Sequence, residues 1–464
     1  MGACIGPEVA IDRCAGDVDP ATGVRKSAPM PLPEALTARP RLAALAAKVL
    51  ADPEGWSFFQ LKTELSKLLS PCEAHAAFGE LLADIGPISA GTGPLRRLID
   101  RASSQPAFHT YSAAERIALP GAPLSRGGRG PAFTADARAL FVARLDDAIT
   151  FGRSNLRALG VEMVSDLQGD EANRYQTCWW FDPIISACDG EEMLYHLPAT
   201  GGAAELDEAI DLTGVFSPGW GHTVLEFAPQ LLLADVVAKV PPEVPVLVDA
   251  NLPEPSYELF RFLSPTRPQI QVGFRQAVRV RHLWAASSPE YWPALRAPGQ
   301  TLHAEGTSLH PDGLAGLLRY VPHGGGLPDP SLRRVFLARG RDPRLGNQDD
   351  VIARFVREGF VTVHPERLGF LEQLRLVQNA THVAGAWGSQ MMLALLMGRP
   401  ELRVMLFCGP DLEEGPSLAI TAERRGQQVV VLQGALTRAH PSLPYNSLYW
   451  VDGDDLDAAL SEWL

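Results

Sequence analysis

Apolar residues recur along this chain with changing rhythms, and each rhythm predicts a different element. Between residues 33 and 124 the spacing is helical. Leu42, Leu45, Ala46, Val49 and Leu50 share one face, and Ser57 with Gln60 makes a capping box ahead of Phe58, Leu61, Leu65, Leu68 and Leu69. Two more helical pieces are expected near His75 to Ile85 and Pro94 to Ala102. Residues 1–32, rich in Pro, Gly and small side chains, show no period and read as a loose lead-in.

The stretch SRGGRGP, Ser125 to Pro131, reads as a solvated linker, the alternative being that its two arginines touch an anionic ligand. From 131 to 320 strands and helices mix. The clearest strand, VPVLVDANLP, ends in Asp249 and Asn251 and is followed by a helical piece around Tyr257 to Leu263. After a Gly-Pro-rich break at Pro322 to Ser331, residues 332–464 show apolar strands alternating with helices, one of them capped by Asn347. Uninterrupted apolar strands separated by helices predict a parallel, doubly wound sheet covered on both faces, whose ligands sit beyond the carboxyl ends of the strands.

Three loops of the last block converge on that edge. Arg339 to Asn347 brings Arg339, Arg341 and Arg344 within six positions, Pro365 to Leu368 follows the second strand, and Ala386 to Gln390 follows the third. Guanidinium groups grip phosphate oxygens bidentately, and a small-residue turn opening a helix aims backbone N–H groups forward. Together they describe a diphosphate pocket. Taken singly, each loop has a plainer explanation, since Arg-rich loops pair with surface acids and Gly-rich turns pack helices on strands.

Composition narrows the field. With 41 Lys+Arg against 54 Asp+Glu, a formal net charge of -13 and no basic run, nucleic acid is not an expected partner. The six cysteines show no zinc-like spacing and read as reduced thiols. No G-x-G-x-x-G follows the first strand of the last block, which argues against a nicotinamide oxidoreductase, and neither a Walker lysine nor H-E-x-x-H occurs. The acidic clusters fall at helix starts, where capping explains them, so no metal is implied. No run of about eighteen uncharged apolar residues is present, the start lacks the order of a signal peptide, and Gly6 spoils a myristoylation motif; a soluble protein is expected.

A second constellation lies in SPGWGHTVLEFAPQL, Ser217 to Leu231. On a helix His222 and Glu226, four apart, share one face, and an imidazole paired with a carboxylate can serve as general base for a hydroxyl. The same pair could equally brace the helix, and Trp220 could be a sugar platform or a core residue.

These residues resemble glycosyltransferase family 61, the capsular polysaccharide-type transferases. The likeness runs from about Ala139 to the C-terminus and is strongest after Arg333, where Arg339, Arg344, Asn347, Pro365, Glu366, Gln373 and Gly388 fall on the family pattern. Upstream, His222, Glu226 and Pro229 match its His-containing segment, and the strand ending at Asp249 matches the next. The resemblance implies an α/β fold, a GT-B-like pair of Rossmann-like domains at 131–320 and 332–464, with the helical region 33–124 additional to it. It implies an inverting transfer from a nucleotide-diphosphate sugar to a hydroxyl of a glycan, lipid-linked or protein acceptor, in bacterial surface polysaccharide or glycoconjugate synthesis. His222, Glu226 and Asp249 are the catalytic candidates. Arg339, Arg344, Asn347, Glu366, Gln373, Trp387, Gly388, Ser389 and Gln390 are the donor-binding ones. No cofactor is expected beyond the donor, the location expected is cytoplasmic or at most peripheral to the inner membrane face, and self-association could use the N-terminal helices. Trp387–Gln390 stands where the family usually reads His-Gly-Ala-Gly, and the Asn-Tyr common before the upstream His is absent. Those departures favour a rival reading, a noncatalytic sugar-nucleotide or glycan-binding scaffold.

Overall fold

The computed structural model describes residues 39–125, 127–137, 139–165, 182–189, 192–200, 203–291, 308–325, 330–340, 344–410, 415–440 and 447–464. The expected lead-in and Arg341 lie outside them.

Three helices open the described chain, Pro40–Ala51, Trp56–Leu68 and Pro71–Ile85. Their apolar faces close around Phe58 and Phe78, edge to face with ring centroids 4.9 Å apart. The capping box forms at Ser70 and Glu73 rather than at Ser57. Ser57 is already inside its helix, whose cap is Gly55; a Cβ there would press on the Asp52 carboxyl carbon at 2.9 Å.

Helical character does not persist to residue 124, as the spacing predicted. Ile88–Arg97 is a strand, Leu98–Ala102 a single helical turn, and Phe108–Ser112 and Glu115–Leu119 are strands again. Gly91, Gly93 and Pro94 weaken a helix here. Pro94 sits where the strand changes partner, antiparallel to 192–198 before it and parallel to 163–165 after it, so the missing N–H falls at a break in the ladder. The expected linker is also a docked turn. Pro123 and Ser125 exchange backbone hydrogen bonds with Val431 at the edge of the last sheet, and Arg129 grips Glu423 through both terminal nitrogens at 3.0 and 2.6 Å.

The middle of the chain builds one eleven-stranded mixed sheet. Four of its strands, Ala204–Leu212, Val246–Asp249, Gln269–Val272 and Ala277–Ala286, run parallel in the spatial order third, second, first, fourth. The last block forms a separate five-stranded sheet, parallel throughout, in the order second, first, third, fourth, fifth. Along its first strand Val335 and Leu337 enter one core and Phe336 the other, the period-two alternation of a sheet covered on both faces. This is the α/β, doubly wound arrangement the apolar runs predicted.

One apolar cluster crosses between the two sheets. Val224, Leu225 and Ala228 from the middle of the chain pack with Trp387, Met391 and Met392 from the last block. Exposing any large member of that seam would cost about 1.5–3 kcal/mol, so a handful of them suffices to hold the sheets together. Among the described residues no helix is long and apolar enough to cross a membrane.

Candidate functional site

In the five-stranded sheet the chain leaves its first strand to lay the second on one side and the third on the other. The crevice beyond the carboxyl ends of Arg334–Leu337 and His382–Ala386 is therefore the topological switch point, where doubly wound sheets hold ligands. Arg339 follows the first of these strands by two residues and Gly388 the third by two.

Gly388 has φ 153° and ψ −179°, a region open essentially to glycine. The reason is visible beside it. A Cβ at Gly388 would run into Arg339 Nη1, and Arg344 Nη1 would lie 3.5 Å away. Both guanidinium groups thus close on the bare Cα of the turn. Arg339 donates to Gln390 Oε1 at 3.1 Å, Gln390 Nε2 donates to Ala386 O at 2.6 Å, and Arg344 donates to Trp387 O at 3.3 Å. Gln348 clasps the Arg339 peptide from both ends, accepting from its N–H at 3.0 Å and donating to its carbonyl at 3.1 Å. Beneath them the buried Tyr449 hydroxyl donates to Phe407 O at 2.7 Å; burial holds that phenol protonated well above its ordinary range, against the pull of Arg344 and Arg339.

The remaining donor-side candidates spread out. Ser389 is exposed at the turn and Gln390 half-buried beside it. Glu366 accepts from the Gly340 N–H at 3.1 Å, filling the space a Gly340 side chain would take, so it borders the arginine loop. Asn347 does not face the crevice contacts. Its amide donates to Val451 O at 2.8 Å and accepts from Val451 N at 3.2 Å, and it makes no side-chain cap on the following helix. Gln373 is buried and donates to Pro365 O and Leu368 O, both at 3.0 Å, bracing the second loop from behind. Trp387 is buried in the seam, its indole part of the core. The helix after the turn is short, a 3-10 turn over Ser389–Met391 and then Met392–Met397.

His222 lies on a run of helix from Trp220 to Ala238 that includes π turns at Thr223–Phe227 and Leu233–Ala238. Ala228 N–H reaches back five residues to Thr223 O, and this wider winding lets the chain pass Pro229, which has no N–H to give. His222 Nδ1 and Glu226 Oε1 are 2.5 Å apart, which fixes the ring and leaves Nε2 as the nitrogen that can meet a substrate. The imidazole is about a third exposed. One residue earlier, Gly221 rests against the arginine-bearing turn: a Cβ there would sit 3.4 Å from the Ser389 Cβ. The residue preceding His222 thereby packs against the turn on which Arg339 and Arg344 close. Trp220, by contrast, packs on the seam, its ring centroid 6.2 Å from that of Phe370.

Asp249 stands apart from them. It is fully buried and accepts from Arg153 N at 2.5 Å, Gly214 N at 2.8 Å and Ser217 Oγ at 2.6 Å, which anchors the loop leading into the His222 helix. Burial raises its carboxyl to about 7, offset in part by the Ser217, Gly214 and Arg153 hydrogen bonds. Its place is behind the loop, as a support. Asn155 does the same work from the other side, accepting from Val215 N at 3.0 Å. Gln348, Tyr449, Asn155 and Gly221 escaped the sequence reading. Of these only Gly221 carried a local signal, as a glycine at the start of a helix.

A family model described as Glycosyltransferase 61 matches residues 220–405, a span that begins at Trp220 and takes in His222, Asp249, both arginines and the Gly388 turn. A search of curated proteins finds no match.

Proposed function

Residues 220–405 are a glycosyltransferase family 61 domain and the protein is a glycosyltransferase; from that premise we propose that it moves a sugar, with inversion, from a nucleotide-diphosphate sugar to an acceptor hydroxyl. The acceptor oxygen attacks the anomeric carbon as the bond to the diphosphate breaks, the acceptor proton passes to His222 Nε2, and the diphosphate leaves with the electron pair. Glu226, on Nδ1, orients the ring and stabilises the imidazolium that forms. Arg339 and Arg344 meet the charge that develops on the leaving diphosphate. The donor is the only small molecule the reading requires, without cofactor or metal.

The observation that carries this is the contact of Gly221 with Ser389, because it sets a helix bearing a histidine about a third exposed against the turn on which two guanidinium groups close, at a switch point. The two parallel strand orders support a GT-B-like pair of Rossmann-like domains. On this reading the acceptor is a glycan, a lipid-linked sugar or a protein, and the setting is bacterial surface polysaccharide or glycoconjugate synthesis in the cytoplasm or against the inner membrane face.

Incubation with a panel of nucleotide sugars and candidate acceptors, with release of nucleoside diphosphate as readout, is the test. Release by at least one donor that is lost in both His222→Ala and Arg344→Ala is expected. Binding of a donor without transfer to any acceptor would favour the scaffold reading instead.

A further inference from the structure

Beyond the arginine turn, the carboxyl edge of the last sheet is roofed by a hairpin of Ala435–Arg438 and Leu448–Trp450. Alternation along its second strand sends Tyr449 inward, where it is buried, and Trp450 outward, where it is half exposed. Among the side chains whose exposure is described, Tyr320 and Trp450 are the Phe, Tyr or Trp residues as exposed as this, and Trp450 lies against Gly346 in the segment that follows Arg344.

The adjoining is built, not incidental. Arg344 and Gly346 run alongside the hairpin: Tyr449 N donates to Arg344 O at 3.0 Å and Gly346 N donates to Tyr449 O at 2.7 Å. The Asn347 side chain then pairs with both backbone groups of Val451, at 2.8 and 3.2 Å. Trp450 is held between these bonds on either side. Its indole edge lies over Gly346, two residues beyond Arg344, in the space a side chain would occupy; a Cβ there would come 2.6 Å from the indole Cδ1. A glycine under the ring and four hydrogen bonds around its backbone fix an aromatic surface that the core does not need.

We propose that Trp450 is the platform on which the nucleobase of the donor nucleotide stacks. This rests on the diphosphate site at Arg339 and Arg344. A nucleoside attached to a diphosphate held there extends along the carboxyl edge of the sheet, and an indole beside Arg344 offers its base a π-face. Stacking of this kind accepts every base, so the class of ligand is the nucleoside diphosphate and its choice among bases is made elsewhere. The role of Asn347 follows: it positions Trp450 and touches no donor.

Calorimetric titration of the full chain with inorganic pyrophosphate and with UDP, ADP, GDP and CDP separates the parts. Trp450→Ala is expected to weaken the best-bound nucleoside diphosphate by roughly ten-fold, the scale of losing one stacked base, while pyrophosphate affinity stays as in the unaltered chain. Trp450→Phe should restore most of the loss, and Arg344→Ala should weaken nucleoside diphosphate and pyrophosphate together. Unchanged nucleoside diphosphate affinity in Trp450→Ala overturns the platform. So does a parallel loss of pyrophosphate, which would mean that the residue only supports the arginine loop. If the unaltered chain binds pyrophosphate but no nucleoside diphosphate more tightly, the platform falls and the anion site stands. If it binds neither, the donor site falls and the platform with it.

Discussion

The Phe216 ring lies stacked on the His222 imidazole, with centroids 4.7 Å apart and planes 18° from parallel. Phe216 also packs on the core of the N-terminal helices, next to the buried Val215, and Phe274 beside it meets Phe58 edge to face at 5.4 Å. The proposed base is therefore held at Nδ1 by Glu226 and across its face by a phenyl group that belongs to a different part of the fold. Helices 40–85 reach His222 through that ring.

Removing the imidazole should abolish chemistry without emptying the donor site. His222→Ala is expected to lower the transfer rate by about 10²- to 10⁴-fold, the usual contribution of general base catalysis, with nucleoside diphosphate affinity within about two-fold of the unaltered chain. Phe216→Leu keeps the base but frees its ring, so turnover should fall while KM for the donor holds. Steady-state kinetics beside direct titration would read both. A His222→Ala variant that transfers at full rate removes the histidine from the mechanism.

On the proposed donor side, Gly388 is the most sensitive position. An alanine there meets a backbone conformation reserved for glycine, costing about 1–3 kcal/mol, and its methyl displaces the Arg339 guanidinium. Gly388→Ala should raise donor KM far more than acceptor KM and lower the melting temperature. Gly359→Ala, at φ 82° with open space around it and before the amino end of the strand Val361–Val363, is the control for backbone effects alone. Equal donor KM in the two variants would dissociate the Gly388 turn from donor binding.

Sequence pattern revealed the last block because its strands are buried on both faces and read as unbroken apolar runs, Val404 to Cys408 being one. It also located Arg339, Arg344 and the Gly388 turn, since parallel sheets put their loops in a known place. Strand order was not legible, and with it the position of the switch point. The region before residue 124 misled for a physical reason: Ile88–Arg97 carries glycines and a proline in a strand that changes partner midway, which no periodicity announces. Roles of polar residues were hidden for another. Asn347, Gln373 and Asp249 spend their side chains on backbone groups distant in sequence, and spacing cannot show which carbonyl or N–H waits for them.

Asp249 gives the loop before His222 a pH signature. Its buried carboxyl titrates near 7, above the ordinary carboxylate range, so between about pH 4 and 7 the folded chain holds a proton that the unfolded chain has released. Stability from this group consequently falls as pH rises through that window. Asp249→Asn removes the titrating group, and it must turn an amide N–H toward the Arg153 or the Gly214 backbone N–H, leaving a buried clash worth about 1–3 kcal/mol. Asparagine should be the less stable of the two at pH 5, with the gap narrowing toward pH 8. Chemical denaturation at several pH values measures the gap; a gap that widens with pH contradicts the burial argument.

A second pair works in the opposite sense and can be isolated the same way. His75 stacks on His196 with centroids 4.0 Å apart where the third N-terminal helix meets the large sheet, and His75 Nδ1 lies 2.5 Å from Ser186 Oγ. Burial depresses His75 to about 4. It depresses His196 well below the usual range, with neighbouring His75, Arg275 and Lys62 adding to the effect. Both rings are neutral in the folded chain, whereas an unfolded histidine gains its proton near pH 6.5. Their contribution is therefore intact above about pH 6.5 and is lost progressively as pH falls toward 4. His75→Phe keeps a flat ring on His196 and cannot be protonated, so the drop in melting temperature between pH 7 and pH 5 should shrink. Because the N-terminal helices support Phe216, activity of the unaltered chain should fail over the same interval while its five-stranded sheet still binds pyrophosphate. An undiminished acid drop in His75→Phe would place the acid-labile step elsewhere in the molecule.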